Sequence, residues 1–309
     1  MRALAVTGRG VAPAVVDLDA PVPGAGEIRV AVSAASVNGF DLAVAGGHVW
    51  DHMPHTFPVI LGRDYAGTVD ALGAGVTGID VGDRVAGVNT ALDLGAGPLA
   101  EQFVVSADAL TPVPSAVSDT QAAAVGLAGI TALDAIAELH LSGDDSVLVV
   151  GATGGVGSFA VQLAAASGAR VIATARPGKA TEFVRSLGAV EGVDYTTDLS
   201  AAVRAVAPQG PSAVLHAAGD PATPAVLLAP GGRFASVLGA RAEQIGRDDL
   251  AVSTLLAAYT PNKLAELLAK VAAGQLTVPI AATYSLTDAP DALTAFAGGK
   301  LGKIVVTMR

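Results

Sequence analysis

Short runs of consecutive apolar residues alternate with helix-length segments through the middle third of the chain. The apolar runs are continuous and do not alternate with polar residues, which is typical of strands in a parallel sheet that helices cover on both faces. From about residue 121 the pattern therefore predicts a doubly wound α/β domain. Its expected strands are Val147 to Val150, Val171 to Ala175, Ala213 to Leu215 and Phe234 to Leu238, with helices through Leu163 and Leu187 after the first two.

The two ends of the chain have different patterns. Before about residue 120, short β-type runs such as Ile28 to Val32 and Phe103 to Val105 are separated by Gly, Pro and Asp turns, which predicts an irregular, strand-rich domain. After the α/β region, helices are predicted over Asn262 to Ala272 and near Ala289 to Ala297, before a last strand, Ile304 to Val306. That strand lies too far along the chain to be the obvious next α/β unit, and its return to the first domain would make that domain discontinuous.

Composition narrows the possible functions. The chain has 309 residues, 51% of them hydrophobic, and no cysteine, which excludes a disulfide framework, a thiolate zinc site, a cysteine nucleophile and cysteine-ligated iron–sulfur clusters. The formal net charge of −10 has the wrong sign for attraction to nucleic acid or anionic lipid. No apolar run approaches the roughly 20 residues that cross a bilayer, and the N-terminal run is too short for a signal peptide. We therefore expect a soluble, cytoplasmic protein without nucleic-acid or membrane partners.

The segment SVLVVGATGGVGSFAVQLAAASGARVIATAR carries the strongest local motif. A buried strand is followed by Gly151, Gly154, Gly155 and Gly157, then by a helix that Gly168 ends and by a second strand. In such a unit the glycines let the backbone approach a pyrophosphate and let the helix pack closely on the sheet, while the helix N-terminus supplies N–H donors. The motif predicts dinucleotide binding. A tight strand-to-helix turn that binds nothing is the alternative.

The end of the second strand bears on the choice of cofactor. A site for NAD usually has Asp or Glu there, about 20 residues after the glycines, to accept from the ribose 2′-hydroxyl. This chain has Ala175 and Arg176, followed by Lys179, which suit a 2′-phosphate and favour NADPH. The two cations could also be solvated loop charges. Tyr195 could stack near the adenine or be an ordinary edge aromatic.

Catalytic groups are harder to find in the sequence. His48, His52 and His55 lie close together but lack a metal-ligand spacing, and the breaks around them predict a loop over a pocket. Neither a Ser-His-Asp pattern nor paired carboxylates stand out. Hydride transfer does not require them, because the cofactor carries the chemistry and the protein orients it.

Several motifs in order along the chain resemble the medium-chain dehydrogenase/reductase superfamily, and within it the zinc-free quinone oxidoreductase branch of the zeta-crystallin type. They are SVNGFDLAVAGG, FPVILGRDYAGTVDALGAGVTGIDVGDRVAG, ITAL around Thr131, GATGGVG with VQLA after it, and the terminal LGKIVV. The resemblance implies a GroES-like catalytic domain over 1–120 and 259–309, and a Rossmann NADP-binding domain over 121–258. Zinc-binding relatives carry a Cys near Ser36 to Asn38 and a His-Glu pair where this chain has Arg63 and Asp64, so the resemblance implies no metal.

The resemblance also assigns roles to particular residues. Asn38 and Asp41 match an Asn-x-x-Asp motif beside the nicotinamide, where Asn38 could donate to a substrate carbonyl or to the ribose, and we take both as candidate catalytic residues. Alternatively, Asn38 only caps a turn and Asp41 starts a helix. The candidate cofactor-binding residues are Asn38, Thr131, Gly154, Gly155, Val156, Arg176, Lys179, Tyr195, Gly239 and Lys303. His48, Trp50 and His55 are expected to line the acceptor side, and the segment after Gly239 is shorter than in typical members.

The function predicted from these observations is a metal-free, NADPH-dependent transfer of hydride to a quinone or another electron-poor small molecule. One alternative is reduction of the double bond of an enoyl thioester or alkenal. Another is a scaffold or sensor that binds NADPH without turnover. The resemblance further suggests a homodimer.

Overall fold

The computed structural model describes residues 1–308, which divide into two compact units. Unit 1 comprises Met1–Leu127 and the chain from Tyr259 onward, and unit 2 comprises Ala128–Ala258. The division falls after residue 127, inside a helix, whereas the sequence pattern placed it near residue 120.

The elements are numbered in chain order. The strands are β1 (Arg2–Val6), β2 (Ala14–Asp17), β3 (Glu27–Val37), β4 (Val59–Ile60), β5 (Asp64–Leu72), β6 (Arg84–Val88), β7 (Gln102–Ser106), β8 (Thr111–Pro112), β9 (Ser146–Val150), β10 (Arg170–Thr174), β11 (Glu191–Val193), β12 (Ala213–His216), β13 (Arg233–Ser236), β14 (Ala251–Thr254), β15 (Ile280–Ser285) and β16 (Lys303–Thr307). The helices are α1 (Gly39–Ala45), α2 (Asp119–Glu138), α3 (Gly155–Ala166), α4 (Lys179–Ser186), α5 (Leu199–Val206), α6 (Ala222–Ala225), α7 (Ala242–Ile245), α8 (Pro261–Ala272) and α9 (Ala289–Ala297).

Unit 1 is built on two sheets. One has the order β2-β1-β4, and the other has the order β15-β16-β3-β5-β6-β8, with β7 also pairing with β3. The late strand β16 runs antiparallel to β3, with Ile304 opposite Val37. Unit 1 is therefore discontinuous in sequence, because β15 and β16 return from the C-terminal region to complete the sheet. Its core contains buried side chains such as Leu4, Val30 and Tyr65.

Unit 2 is a six-stranded sheet of order β11-β10-β9-β12-β13-β14 in which all neighbouring strands are parallel. Its central strands are apolar on both faces, and Leu148, Ile172 and Val214 are fully buried. The doubly wound α/β prediction is confirmed. The strand order reverses between β9 and β12, so the carboxyl ends of these two strands form a topological switch point, where ligands bind in folds of this class.

The strand expected over Phe234 to Leu238 is two residues too long. β13 ends at Ser236, and the side chain of Leu238 is 57% exposed. The physical reason is local, because the Ser236 hydroxyl accepts the backbone N–H groups of Leu238 and Ala240 and turns the chain away from the sheet.

Helix α2 corrects the expectation that no apolar stretch reaches membrane-spanning length. Within the described residues, it is the one helix long and apolar enough to cross a bilayer by length and composition. Its most apolar window is 61% buried inside the protein, and Gly126 interrupts it with non-helical φ and ψ of −28° and −111°. The burial and the kink are those of a core helix.

Candidate active site

The glycine loop of unit 2 lies at the switch point, between β9 and α3. Gly151 has a φ of +83°, a left-handed conformation that favours glycine. A Cβ atom on Gly157 would lie 2.2 Å from the carbonyl oxygen of Gly151, so only glycine lets α3 approach the strand this closely. On Gly154, by contrast, a Cβ would meet nothing nearer than 3.4 Å. The role predicted for Gly157 in close helix–sheet packing is confirmed.

The first turn of α3 supplies the donors expected of a phosphate site. Gly154 precedes the helix with extended backbone, and Gly155 and Val156 are its first two residues. The N–H groups of a first helical turn have no acceptor within the helix, and the helix dipole adds partial positive charge there. Because the loop leaves room beside these donors, this part of the chain fits a dinucleotide pyrophosphate.

Thr174 holds the glycine loop in place, a role that the sequence did not reveal. Its Oγ1 atom accepts the backbone N–H of Gly151 at 2.9 Å and donates to the carbonyl of Val149 at 3.3 Å. The side chain is 3% exposed at the last position of β10. The sequence feature that could have indicated this role is a threonine at the end of an otherwise apolar strand.

The residues expected to contact a 2′-phosphate follow β10. Arg176 and Lys179 are exposed, and Lys179 is the first residue of α4. The guanidinium of Arg176 lies 5.9 Å from the ring centroid of Tyr195, which is 46% exposed. Asp194, which follows β11, was not among the candidate residues predicted from the sequence. Hydrogen bonds from Thr196 lower the pKa of its carboxyl, and the charge of Arg176 lowers it further.

Thr131 and Gly239, two further candidate cofactor residues, also lie in unit 2. Thr131 is half-buried in α2. Gly239 is exposed with a φ of +81°, in the turn that follows β13.

Unit 1 contains a buried polar cluster around Asp64. One carboxylate oxygen of Asp64 accepts from the Ser36 hydroxyl and, at 2.9 Å, from the Asn38 amide. The other oxygen accepts the backbone N–H of Leu127 at 2.7 Å. The side chains of the cluster belong to β3, the β3–α1 junction, β5 and β16, so residues far apart in sequence meet here.

The kink at Gly126 is part of this cluster. A Cβ on Gly126 would lie 2.4 Å from the carboxylate oxygen of Asp64, so a larger residue does not fit. The non-helical backbone there lets α2 approach Asp64 closely enough for the N–H of Leu127 to donate to it.

Lys303 is the cation of the cluster. Its ammonium group donates to Asn38 Oδ1 at 2.7 Å and to the Val37 carbonyl at 3.1 Å, and it lies 3.6 Å from Asp64 Oδ2. The residue is 1% exposed, and burial lowers the pKa of its ammonium group against the opposing effect of the nearby carboxylates. Lys303, predicted by resemblance to contact the cofactor, is thus turned inward onto Asn38.

The hydrogen-bond partners of Asn38 fix the orientation of its amide. The side-chain nitrogen donates to Asp64 and, at 3.3 Å, to the Ser36 carbonyl, while Lys303 requires the oxygen on its own side. Both N–H bonds are therefore used within the protein, and the oxygen keeps one lone pair. Donation from Asn38 to a substrate carbonyl would require breaking one of these bonds, whereas acceptance by its oxygen would not.

Asp41 performs the capping role that the sequence analysis left open. Its carboxylate accepts the backbone N–H of Asn38 at 2.7 Å and that of Gly62 at 3.1 Å, and it lies in the first turn of α1. Burial raises the pKa of Asp41 to about 7, and the nearby Asp64 also raises it, against the effects of the two N–H groups and Lys303. With 1% of its surface exposed, Asp41 supports the turn that carries Asn38.

The three residues expected around the acceptor lie in different environments. His48 is exposed and lines an open, mostly apolar cavity of about 680 Å³ together with residues of α1 and α9. Trp50 is instead a core residue, 5% exposed, which stacks on His55 at 5.9 Å and makes a T-shaped contact with Phe57 at 5.1 Å between ring centroids. The structure brings Trp50 and His55 together but places them in an aromatic cluster.

The donor set at the position of zinc in metal-binding relatives does not suit a metal. Arg63 occupies the position before Asp64, with its guanidinium donating to the carbonyls of Asn89 and Ala91. Among residues 1–308, no group of three or more His, Cys, Asp or Glu side chains is arranged to hold a metal ion. The sequence contains no cysteine.

Comparison with known proteins gives two family matches, of which the second runs from unit 2 into the C-terminal part of unit 1. Residues 24–115 match the family described as alcohol dehydrogenase GroES-like domain, and residues 187–306 match the family described as zinc-binding dehydrogenase. Quinone-oxidoreductase QR1 from Triphysaria versicolor is 31% identical over 310 residues, which cover 94% of this chain and 92% of that protein. The chain belongs to the zinc-free quinone oxidoreductase branch of the medium-chain dehydrogenase/reductase superfamily, whose members are oxidoreductases that bind a nicotinamide cofactor.

Other curated relatives match over less of their length. A chloroplast envelope quinone oxidoreductase homologue from Arabidopsis thaliana is 39% identical over 66% of this chain, and the match spans 63% of that protein. A mycocerosic acid synthase-like polyketide synthase from Mycolicibacterium smegmatis is 35% identical over 92% of this chain, which corresponds to 14% of the synthase.

Solved structures share the fold over the whole chain. The quinone oxidoreductase from Coxiella burnetii superposes with a TM-score of 0.90 at 27% identity, covering 100% of this chain and 99% of that one. An NAD-dependent alcohol dehydrogenase gives 0.90 at 28%, with 100% of both chains covered. A mycobacterial protein complexed with NADPH gives 0.85 at 28%, with 99% and 100% covered, and the CurK enoyl reductase gives 0.85 at 26%, with 100% and 99% covered.

Proposed function

We propose that this protein is an NADPH-dependent, zinc-independent oxidoreductase that reduces a quinone or another electron-poor small molecule. The observation that carries the cofactor assignment is the end of β10, where exposed Arg176 and Lys179 stand in place of the carboxylate typical of NAD sites. A guanidinium pairs with a phosphate through two hydrogen bonds, and two cations favour the additional charge of NADPH.

In this proposal unit 2 binds the cofactor, and its residues hold and orient the cofactor. The amides of Gly155 and Val156 and the space beside Gly154 would hold the pyrophosphate, with Gly151 fixed by Thr174. Arg176, Lys179 and Tyr195 would hold the 2′-phosphate end, and Thr131 and Gly239 remain proposed contacts. When bound, the reduced nicotinamide supplies the hydride, and reduction of the acceptor is completed by a proton.

Within unit 1, the proposal assigns a role to Asn38. Asn38 is 7% exposed, whereas Ser36, Asp41, Asp64 and Lys303 beneath it are each 1% exposed or less. The free lone pair of its oxygen can accept from a ribose hydroxyl or a carboxamide N–H. Lys303 and Asp64 hold the amide in this orientation, so their roles in the proposal are those of positioning residues. His48 is the proposed contact with an apolar acceptor, because it lines the cavity of unit 1.

Fluorescence titration with NADPH and NADH tests the cofactor assignment. We expect the wild-type protein to bind NADPH more tightly than NADH. Arg176→Ala and Lys179→Ala should each lower the affinity for NADPH roughly tenfold, the size expected for one charged hydrogen bond, with little effect on the affinity for NADH. Arg204→Ala, which removes an exposed cation from α5, is the matched control. A preference for NADH that neither variant changes would overturn the assignment.

Reduction of an enoyl thioester or alkenal is a second candidate, favoured by the structural similarity to an enoyl reductase. A panel of quinones, enals and enoyl-CoA, followed by the loss of NADPH absorbance, separates the two. Turnover of quinones supports the first function, and turnover confined to enoyl-CoA or enals supports the second. Tight NADPH binding without oxidation by any acceptor would indicate a scaffold or sensor.

We also propose that the protein acts as a cytoplasmic homodimer without membrane or nucleic-acid partners. The net charge of −10 supports the absence of anionic partners. Light scattering during size-exclusion chromatography tests the dimer, and cell fractionation tests the location.

A further inference from the structure

His216 stands at the carboxyl end of β12, directly at the switch point of unit 2. It pairs in register with Val150, the residue before Gly151, on one side, and with Ser236 on the other. The side chains of His216 and Ser236 are 1% and 0% exposed. A buried, titratable group therefore lies between the glycine loop and the turn after β13.

The hydrogen bonds of His216 determine its protonation state. Its Nε2 atom lies 3.0 Å from the carbonyl of Gly219, which can only accept, so Nε2 carries a hydrogen. Nδ1 lies 3.1 Å from the Ser236 hydroxyl. That hydroxyl oxygen accepts the backbone N–H groups of Leu238 and Ala240, each at 3.2 Å, so both of its lone pairs are used and its own hydrogen points to Nδ1. Every donor has an acceptor only when the imidazole is neutral.

Protonation would break this arrangement. A hydrogen on Nδ1 would face the hydroxyl oxygen of Ser236, which would then have to accept from three N–H groups with two lone pairs. One backbone N–H after β13 would lose its partner. Burial lowers the pKa of His216, while the Gly219 and Ala218 backbone and the nearby carboxylate of Asp220 oppose this effect. The ring of Phe234 stacks on the imidazole at 5.7 Å and brings no charge.

The two loops that His216 connects form the edge beside the glycine loop. On the β12 side, a Cβ at Gly151 would lie 2.8 Å from the Cβ of Ala218, so this loop packs directly on the first glycine. On the β13 side, the exposed residues Leu238 and Gly239 follow the Ser236 turn. In folds of this class the dinucleotide lies along the carboxyl edge of the sheet, and its nicotinamide half extends beyond the glycine loop.

We propose that neutral His216 is a positioning residue for the nicotinamide half of the bound cofactor, acting through Ser236 on the Leu238–Ala240 turn. Protonation of His216 then loosens this turn and weakens binding of the cofactor. This inference rests on the proposed function, because it needs a dinucleotide at the carboxyl edge. A histidine that only fills the core would instead contribute to stability and leave the relative affinity for the two halves of the cofactor unchanged.

The test compares NADPH with 2′-phospho-ADP-ribose, a fragment that carries the adenosine half, the 2′-phosphate and the pyrophosphate but no nicotinamide. Both ligands share the same titrating phosphate group, so the ratio of their affinities isolates the nicotinamide. Measured by calorimetry, this ratio is expected to fall roughly fivefold between pH 8 and pH 5.5 in the wild-type protein, the size of one hydrogen bond.

Two variants of His216 separate its two contacts. His216→Asn keeps an acceptor near Ser236 and does not titrate, so we expect it to retain the ratio of pH 8 at both pH values. His216→Gln reaches toward Gly219 but not Ser236, and it should show the lowered ratio at both pH values. His140→Asn, at an exposed histidine of unit 2 with a φ of +44°, is the control that should behave like the wild type.

Two results would count against the inference in different ways. Binding of both ligands with a ratio independent of pH and of His216 overturns the positioning role alone. Failure of both ligands to bind at pH 8 overturns the proposed function and the positioning role with it. A ¹⁵N spectrum of the imidazole reports its tautomer without any ligand, and a hydrogen on Nδ1 at pH 8 would contradict the hydrogen bond from Ser236 to Nδ1.

Discussion

The ammonium group of Lys303 lies 2.7 Å from the side-chain oxygen of Asn38, and through this contact the last strand of unit 1 fixes the orientation of an amide on the β3–α1 turn. The same ammonium is 3.6 Å from Asp64, whose carboxylate accepts the other end of the amide. Asn38 is thus held between a buried cation and a buried anion, each of which dictates one end of its amide.

Lys303→Met should destabilise the protein by about 3–5 kcal/mol, because it leaves the buried carboxylate of Asp64 without its cation. The double variant Lys303→Met with Asp64→Asn should recover part of this loss. Urea unfolding measures both. Lys300→Met removes a nearby lysine that packs over Phe296 and should cost about 1 kcal/mol or less. Equal losses for the two single lysine variants would contradict the importance of the ion pair.

The stability of the protein should depend on pH through Asp41. Burial raises the pKa of this carboxyl from 3.8 to about 7 in the folded protein, so the folded state binds the proton more tightly than the unfolded state. The stability associated with this proton is fully present below pH 3.8 and is lost as the pH rises through 7. The lost contribution is up to about 4 kcal/mol at 1.36 kcal/mol per pKa unit.

Asp41→Asn removes this titration and isolates its effect. The difference in unfolding free energy between the variant and the wild-type protein should change in favour of the variant between pH 5 and pH 8. Denaturant unfolding at several pH values gives the difference curve. A flat curve over this range would show that the two backbone N–H groups keep Asp41 ionised in the folded state.

Gly157→Ala should abolish or strongly weaken nucleotide binding. Its new methyl group would lie 2.2 Å from the Gly151 carbonyl oxygen and 2.6 Å from the Cα of Ala152, so α3 must move away from the glycine loop. Gly143→Ala is a suitable control, because a Cβ there meets nothing within 4 Å. Titration with NADPH, which carries the pyrophosphate, measures the effect. Unchanged affinity in Gly157→Ala would mean that the loop does not hold the pyrophosphate.

Thr174→Val should weaken nucleotide binding and also lower the free energy of unfolding. The valine keeps the shape of threonine but cannot accept the N–H of Gly151, at a cost of about 1–3 kcal/mol for a buried group without a partner. Thr283→Val, at an exposed position of β15, is the control and should be nearly neutral. Thermal unfolding measures the effect on stability, and NADPH titration measures the effect on binding. An unaltered affinity for NADPH would show that Thr174 does not contribute to cofactor binding.

Local patterns were sufficient to predict the first β–α–β unit of unit 2. The continuous apolar strands and the spacing of Gly151, Gly154 and Gly157 predict β9, α3 and β10, because these elements follow one another directly in sequence. The strands β11 and β14 were not predicted. The predicted end of β13 was wrong. Val237 and Leu238 continue the apolar run, but the hydroxyl of Ser236 turns the chain away from the sheet.

The cluster of unit 1 could not be predicted in the same way. Ser36 and Asp64 are 28 residues apart, and Lys303 is 265 residues from Asn38, so neither spacing nor periodicity relates them. Resemblance identified Asn38 and Lys303 as residues of interest but not their mutual contact. The sequence analysis expected Trp50 to line the acceptor side, whereas it is 5% exposed and packs against Phe57 in the core.

The return of β16 to unit 1 has a consequence for the order of folding. Unit 2 is one continuous segment and can form as soon as it has been synthesised, whereas Asn38 waits for a partner that lies 265 residues downstream. At roughly 5–20 residues per second, translation takes more than about ten seconds to cover that distance. During this interval Asp64 lacks the ammonium group of Lys303, so the parallel sheet of unit 2 can form before the polar cluster of unit 1 is complete.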